Sequence, residues 1–209
     1  IVGGIERKKT IMTKSEKELI AYHEAGHTLV GWLLPDASPV LKVTVIPRGQ
    51  ALGLTWNLPD ERVIQSRDQL MAELCVLMGG RVAEEIHSGV PCSGALNDLE
   101  RLTRLAYAMV SYYGMNERIG NISFYDSTGE RGFDLTKPYS ENTATAIDEE
   151  VKKLVDEVHE RTLKLIKEHA DGFEQLAREL IDKEVVLAED IERILGPKAG
   201  KHGEERFEE

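Results

Sequence analysis

The chain has 209 residues, enough to bury a full core without disulfide or metal staples. Asp and Glu number 37 against 26 Lys and Arg, and the net charge of −11 argues against a nucleic-acid partner, which needs a basic stripe. Two cysteines, Cys75 and Cys92, form no C-x-x-C pair and read as ordinary thiols of a reducing compartment.

Taken in chain order, Ile1-Val2-Gly3-Gly4 resembles the start of a mature trypsin-like protease, but no G-D-S-G-G segment follows to supply a nucleophile. The tail of a preceding helix is the better reading of that segment. Residues 13–34 form the first predicted helix. Start signals of the S-x-x-E type stand at Ser15-Glu16-Lys17-Glu18 and, alternatively, at Thr13-Lys14-Ser15-Glu16. Leu19, Ile20, His23, Gly26, His27, Val30, Leu33 and Leu34 then recur at spacings of three and four, until Pro35 stops the helix.

Within it lies His23-Glu24-Ala25-Gly26-His27. Residues four apart share a helix face, so both imidazoles can reach one metal ion. Glu24 stands beside them, where a general base takes a proton from a water molecule. The plainer alternative is a pair of core histidines satisfied by hydrogen bonds. Two neutral imidazoles stacked a turn apart, with a carboxylate between them, are hard to satisfy without a cation.

A catalytic zinc needs a third protein ligand, and the extended H-E-x-x-H-x-x-G-x-x-H pattern is absent, since Val30 and Leu33 occupy its later positions. Val40–Ile46 alternates and reads as a strand, with Leu52–Leu58 as its hairpin partner. An exposed strand beside a pocket would let an extended substrate add itself to the sheet edge. A second helix is predicted from the capping form at Ser66-Arg67-Asp68-Gln69 and carries Glu84 and Glu85 late in its course. A third opens at Gly94-Ala95-Leu96-Asn97-Asp98 and runs to about Tyr113. Asp98 shares its inner face with Leu102, Leu105 and Met109. On spacing, Asp98, Glu84 and Glu85 all remain candidates, because an acid in a first turn also serves simply to cap a helix.

Residues 121–140 read as a long polar loop. Thr143–His169 is a helix with Ile147, Val151, Leu154, Val158, Leu165 and His169 in one stripe, followed by helices at Phe173–Ile181 and near Glu189–Leu195. His159, His169 and His202 look structural or exposed, and residues 197–209 form a charged, Gly-containing tail expected to be disordered. The fold expected is mainly α with a small β-hairpin or sheet. A zincin-like HExxH helix domain is followed by a C-terminal helical bundle. The longest uncharged apolar stretch, Ala25 to Leu34, is half of the roughly 20 residues a crossing helix needs, and no G-x-x-x-x-G-K-[ST] loop occurs.

These segments, in order, resemble the proteolytic domain of the FtsH-type membrane-anchored AAA+ zinc metalloproteases. The resemblance runs through Ile1–Lys9, Ala21–His27, Lys42–Gly49, Gly79–Glu85, Gly94–Leu99, Tyr113-Gly114-Met115 and Lys137-Pro138-Tyr139-Ser140. It implies one Zn2+ per chain held by His23, His27 and Asp98, with Glu24 as the catalytic base and Glu84 orienting the site. Cys92-Ser93 stands where the family often has Ser-Thr, and a hydroxyl is kept at Ser93. No His or Tyr stands out as an oxyanion donor. The resemblance divides the chain into 1–12, the end of a preceding ATPase region, and a peptidase domain at 13–196. That domain comprises a catalytic core at 13–120, the loop at 121–140 and C-terminal helices at 141–196. It also implies a homo-hexamer acting on unfolded polypeptides, with ATP bound only by an ATPase domain outside this chain. The whole protein would be anchored in a membrane. The bacterial inner membrane, with this domain in the cytoplasm, and the mitochondrial inner membrane both fit. The contrasting expectation is a non-catalytic helical oligomerisation module with a structural zinc.

Overall fold

The computed structural model describes residues 13–47, 53–58, 64–125 and 138–200. The expectations for residues 1–12, most of the 121–140 loop and the tail from 201 onward fall outside these residues. Six helices and one three-stranded sheet make up the described fold, which is mainly α as expected.

Helix α1 spans Lys14–Leu33. The earlier of the two start signals wins: the Thr13 side chain accepts from the Glu16 backbone N–H, and the Glu16 carboxylate accepts from the Thr13 N–H at 2.8 Å. At the other end Leu34 is extended, as the residue before a proline must be. Strand β1 (Val40–Thr44) pairs antiparallel with β2 (Leu54–Asn57), setting Val43 opposite Thr55, with an irregularity between Val40 and Lys42. Helix α2 (Arg67–Ser88) begins on the Ser66–Gln69 capping box read from the sequence and ends at Gly89 in a left-handed conformation. A 3-10 turn at Ser93–Ala95 leads into α3 (Leu96–Ser111). Then come α4 (Glu141–Glu168), α5 (Ala170–Lys183), β3 (Val185–Leu187) and α6 (Ala188–Leu195).

Helix α1 runs through the middle of the core. Ala21, Ala25, Leu29 and Val30 are fully buried, with α2 packed along one side and α5 along another. Close approach of α1 to α2 depends on Gly26: a Cβ there would lie 2.6 Å from the Ala83 Cβ, so only a bare backbone fits. The C-terminal helices are not set apart from this core. Strand β3 pairs with β1, setting Val186 opposite Val43, and gives the sheet the order β2-β1-β3. Three residues carry no readable alternation, so β3 has no signature of its own; its pairing with a distant strand creates it.

One stripe differs from expectation. The buried side of α4 follows Ile147, Val151, Leu154 and Val158 as predicted, then continues through Thr162 and Ile166, leaving Leu165 half-buried and His169 exposed. The Thr162 hydroxyl reaches the Cys75 carbonyl at 3.5 Å, which makes a polar residue acceptable inside.

Candidate metal centre

Two turns of α1 set the His23 and His27 rings edge to face, 4.6 Å between centroids. Their Nε2 atoms lie 2.9 Å apart. Asp98, in the first turn of α3, brings its Oδ2 to 3.2 Å from the His23 Nε2 and 3.4 Å from the His27 Nε2. The structure thus brings together His23, His27 and Asp98, with one donor atom from each lying within 4.8 Å of the others.

The remaining ring nitrogens decide what faces inward. His27 Nδ1 is 2.7 Å from the Val76 carbonyl, which can only accept, so this nitrogen carries the proton. His23 Nδ1 lies 2.9 Å from Glu84 Oε1, and the same reasoning places its proton there. Both Nε2 atoms therefore present bare lone pairs to each other and to a carboxylate oxygen. Three acceptors converge on one point, and a cation is what such a set lacks.

The charge balance agrees. Burial opposes an imidazolium at His23, but the hydrogen bonds to Asp98 and Glu84 outweigh it and push its pKa up to about 10. Burial likewise works to raise the Asp98 pKa. The bonds to His23 and His27 prevail and hold the carboxyl well below the usual carboxylate range. Left metal-free, the site captures a proton where a metal would sit. Two imidazole nitrogens and one carboxylate oxygen are the donor set of a catalytic zinc with a fourth position free, so the residues fit that ion.

Glu84 is only 1% exposed and braces the site from behind. While Oε1 accepts from His23, Oε2 accepts from the Cys92 N–H at 3.3 Å, and Arg81 Nη1 lies 3.6 Å from it. The same Arg81 donates to the Cys92 carbonyl at 2.9 Å. These contacts tie α2 to the turn that delivers Asp98. Glu85, the other acidic candidate, faces away and meets His159 Nε2 of α4 at 2.8 Å.

Glu24 is 6% exposed. Its Oε2 accepts from the Thr55 hydroxyl at 2.9 Å. Burial raises its pKa against the opposing pull of His27 and His23. Three contributors were missed from sequence. Thr55 and the Val76 carbonyl gave no signal, since their contacts depend on how β2 and α2 dock against α1. Gly80 did signal, because consecutive glycines inside a helix cost about 1 kcal/mol each and so ask for a reason. The reason is space: a Cβ on Gly80 would sit 2.5 Å from His23 Nε2 and 2.6 Å from His27 Nε2.

The family model described as peptidase family M41 matches residues 10–194. Over 199 residues, 95% of its length, the chain is 49% identical to the "ATP-dependent zinc metalloprotease FtsH" of Parabacteroides distasonis, covering 29% of that protein. It is 48% identical over 201 residues, 95% of the chain, to the protein of the same name from Rhodothermus marinus, again covering 29% of it. Over 199 residues, 95% of the chain, it is 44% identical to the "mitochondrial inner membrane m-AAA protease component AFG3L1" of Mus musculus, covering 25% of that protein. The chain spans less than a third of the length of these curated relatives.

Proposed function

The chain belongs to peptidase family M41, and on that premise we propose that it is the zinc-dependent endopeptidase part of an ATP-dependent, membrane-anchored protease. The observation that carries this reading is the convergence of two bare imidazole nitrogens and the Asp98 carboxylate, with Glu24 buried next to His23 on α1. His23, His27 and Asp98 would hold the metal, and Glu84 fixes the ring of His23. A zinc ion held there would supply a Lewis acid that makes a water acidic and a carbonyl electrophilic. Glu24 accepts the proton of the attacking water and delivers it to the departing amine nitrogen. Burial suits it to both tasks, because a carboxylate with a raised pKa takes up a proton more readily. Among the described residues β2 is an edge strand, which gives an extended peptide a strand to pair with beside Glu24.

The relatives' names support the wider setting. Segment 1–12 joins the 13–196 peptidase domain to an ATPase region that feeds it unfolded protein, in a homo-hexamer anchored in a bacterial inner membrane or a mitochondrial one. Among the described residues no helix is long and apolar enough to cross a membrane.

The test is cleavage of casein by the zinc-loaded protein, with and without a chelator, beside Glu24→Gln. The expected result is zinc retained by the variant with cleavage reduced by about 100-fold or more. A wild-type protein that holds zinc and cuts nothing would leave the non-catalytic oligomerisation module instead.

A further inference from the structure

Glu24 is buried on α1 and, as a base, must present one carboxylate oxygen in a fixed direction. Its own helix supplies no side-chain restraint. The neighbouring hydroxyl of Thr28 donates to the Glu24 main-chain carbonyl at 2.7 Å, so its proton is already committed. Among the described residues, the hydrogen bond to the carboxylate comes from across the fold: Thr55 Oγ1 donates to Oε2 at 2.9 Å. Thr55 is itself held rigidly. It stands opposite Val43 in the β1–β2 ladder, and Val43 is fully buried in the central strand. On the other oxygen, two residues earlier and just ahead of the strand, Gly53 leaves the room. A Cβ at Gly53 would lie 2.5 Å from Oε1 and 2.7 Å from the Glu24 Cγ. Strand β2 and the residue that leads into it therefore grip Oε2 and leave Oε1 clear for a proton.

We propose that Thr55 is the positioning residue of Glu24: its hydroxyl orients the carboxylate that moves the proton, and Gly53 keeps the opposite oxygen free. The proposal rests on the endopeptidase reading above, with Glu24 as the base. A hydroxyl that merely satisfied a buried carboxylate would matter for stability alone. One that aims the base acts on turnover and leaves substrate binding unchanged.

Thr55→Val keeps the shape and removes the donor; Thr55→Ser keeps the donor. In the zinc-loaded protein cutting a fluorogenic peptide, Thr55→Val lowers kcat about 10-fold to 100-fold, with KM changed less than about twofold and one zinc per chain retained, a loss of the size seen when an orienting partner is removed. Thr55→Ser returns kcat to within about threefold of wild type. Gly53→Ala tests the same restraint from the other side. Because its Cβ meets the far end of a side chain rather than backbone, the fold survives while the carboxylate shifts, and kcat falls with zinc still bound. Wild-type kcat in Thr55→Val or in Gly53→Ala overturns the proposal, as does a Thr55→Ser protein as slow as Thr55→Val. A wild-type protein that holds zinc but cleaves nothing overturns the endopeptidase reading as well, whereas normal wild-type cleavage with unaffected variants overturns this proposal alone.

Discussion

Replacing Gly80 with alanine places a methyl carbon inside the metal centre. In the interior of α2 the change should favour the helix by up to about 1 kcal/mol, since alanine loses less backbone entropy than glycine. Against that stands the geometry. The new Cβ would be 2.5 Å from His23 Nε2 and 2.6 Å from His27 Nε2, where ordinary contact begins at 3.4 Å, a shortfall of about 0.8–0.9 Å. Neither ring can swing aside freely, because His27 is held by the Val76 carbonyl and His23 by Glu84. Metal–ligand distances tolerate about 0.2 Å, so a displacement some four times larger should cost at least about 100-fold in zinc affinity. Overpacking costs typically about 1–3 kcal/mol, which the gain in helix propensity partly offsets, so the metal-free fold should lose no more than about 2 kcal/mol. Far-UV circular dichroism would report an intact helical protein, and metal analysis after dialysis would report little zinc. A Gly80→Ala protein that keeps one zinc per chain at wild-type affinity would refute the placement of the metal between these rings.

Gly79, one residue earlier, makes the contrast: its Cβ would meet the Gly26 carbonyl oxygen at 2.8 Å and the His27 amide nitrogen at 3.1 Å, both backbone. Gly79→Ala should therefore unfold at a lower temperature than Gly80→Ala in a chelator, and equal midpoints would contradict the close helix crossing. Asp98→Asn should lose zinc upon dialysis, whereas Glu84→Gln should keep it with affinity reduced about 10-fold to 100-fold, as measured by competition with a chelating dye; identical retention in both would return Glu84 to the ligand set. The pH dependence follows from His23, whose pKa in the metal-free site rises from 6.5 to about 10. A raised folded-state value stabilises the protonated form, so that contribution is complete below pH 6.5 and fades as pH climbs to about 10. The chelated protein's Tm should fall across that window more than the zinc-loaded protein's does, because zinc replaces the proton. Parallel curves would show that His23 is not the cation's seat.

The helices and the two imidazoles were legible because both follow from spacing along one element. His23 and His27 need only α1, and α1 needs only its caps and its apolar rows. Asp98 was not legible to the same degree. A carboxylate in a first turn has a local use, and only the docking of α3 against α1 brings it to the rings. The choice between Glu84 and Glu85 depends on the rotation of α2 about its axis, which turns one toward His23 and the other toward His159. On α4 the apolar count favoured Leu165 over Thr162, and the structure reverses that, because a hydroxyl can bond to a facing carbonyl while a longer side chain needs volume. Strand β3 was beyond reach, being three residues long and defined by its partner alone.

The metal centre and the helix crossing prove to be one constraint. Helices α1 and α2 can approach closely because Gly26 and Gly79 present bare backbone to each other, and that approach is what brings the Val76 carbonyl within 2.7 Å of His27. Without that bond His27 would be free to expose either nitrogen, and the lone pair aimed at Asp98 would lose its fixed direction. About two turns further along α2, Glu84 does the same for His23 and reaches on to Cys92, so the helix that orients both rings also anchors the turn carrying the third acceptor. A shift of α2 relative to α1 would therefore disturb all three side chains together. That coupling explains why the glycines sit at the crossing despite their cost to helix stability: larger residues would strengthen each helix and take apart the site between them.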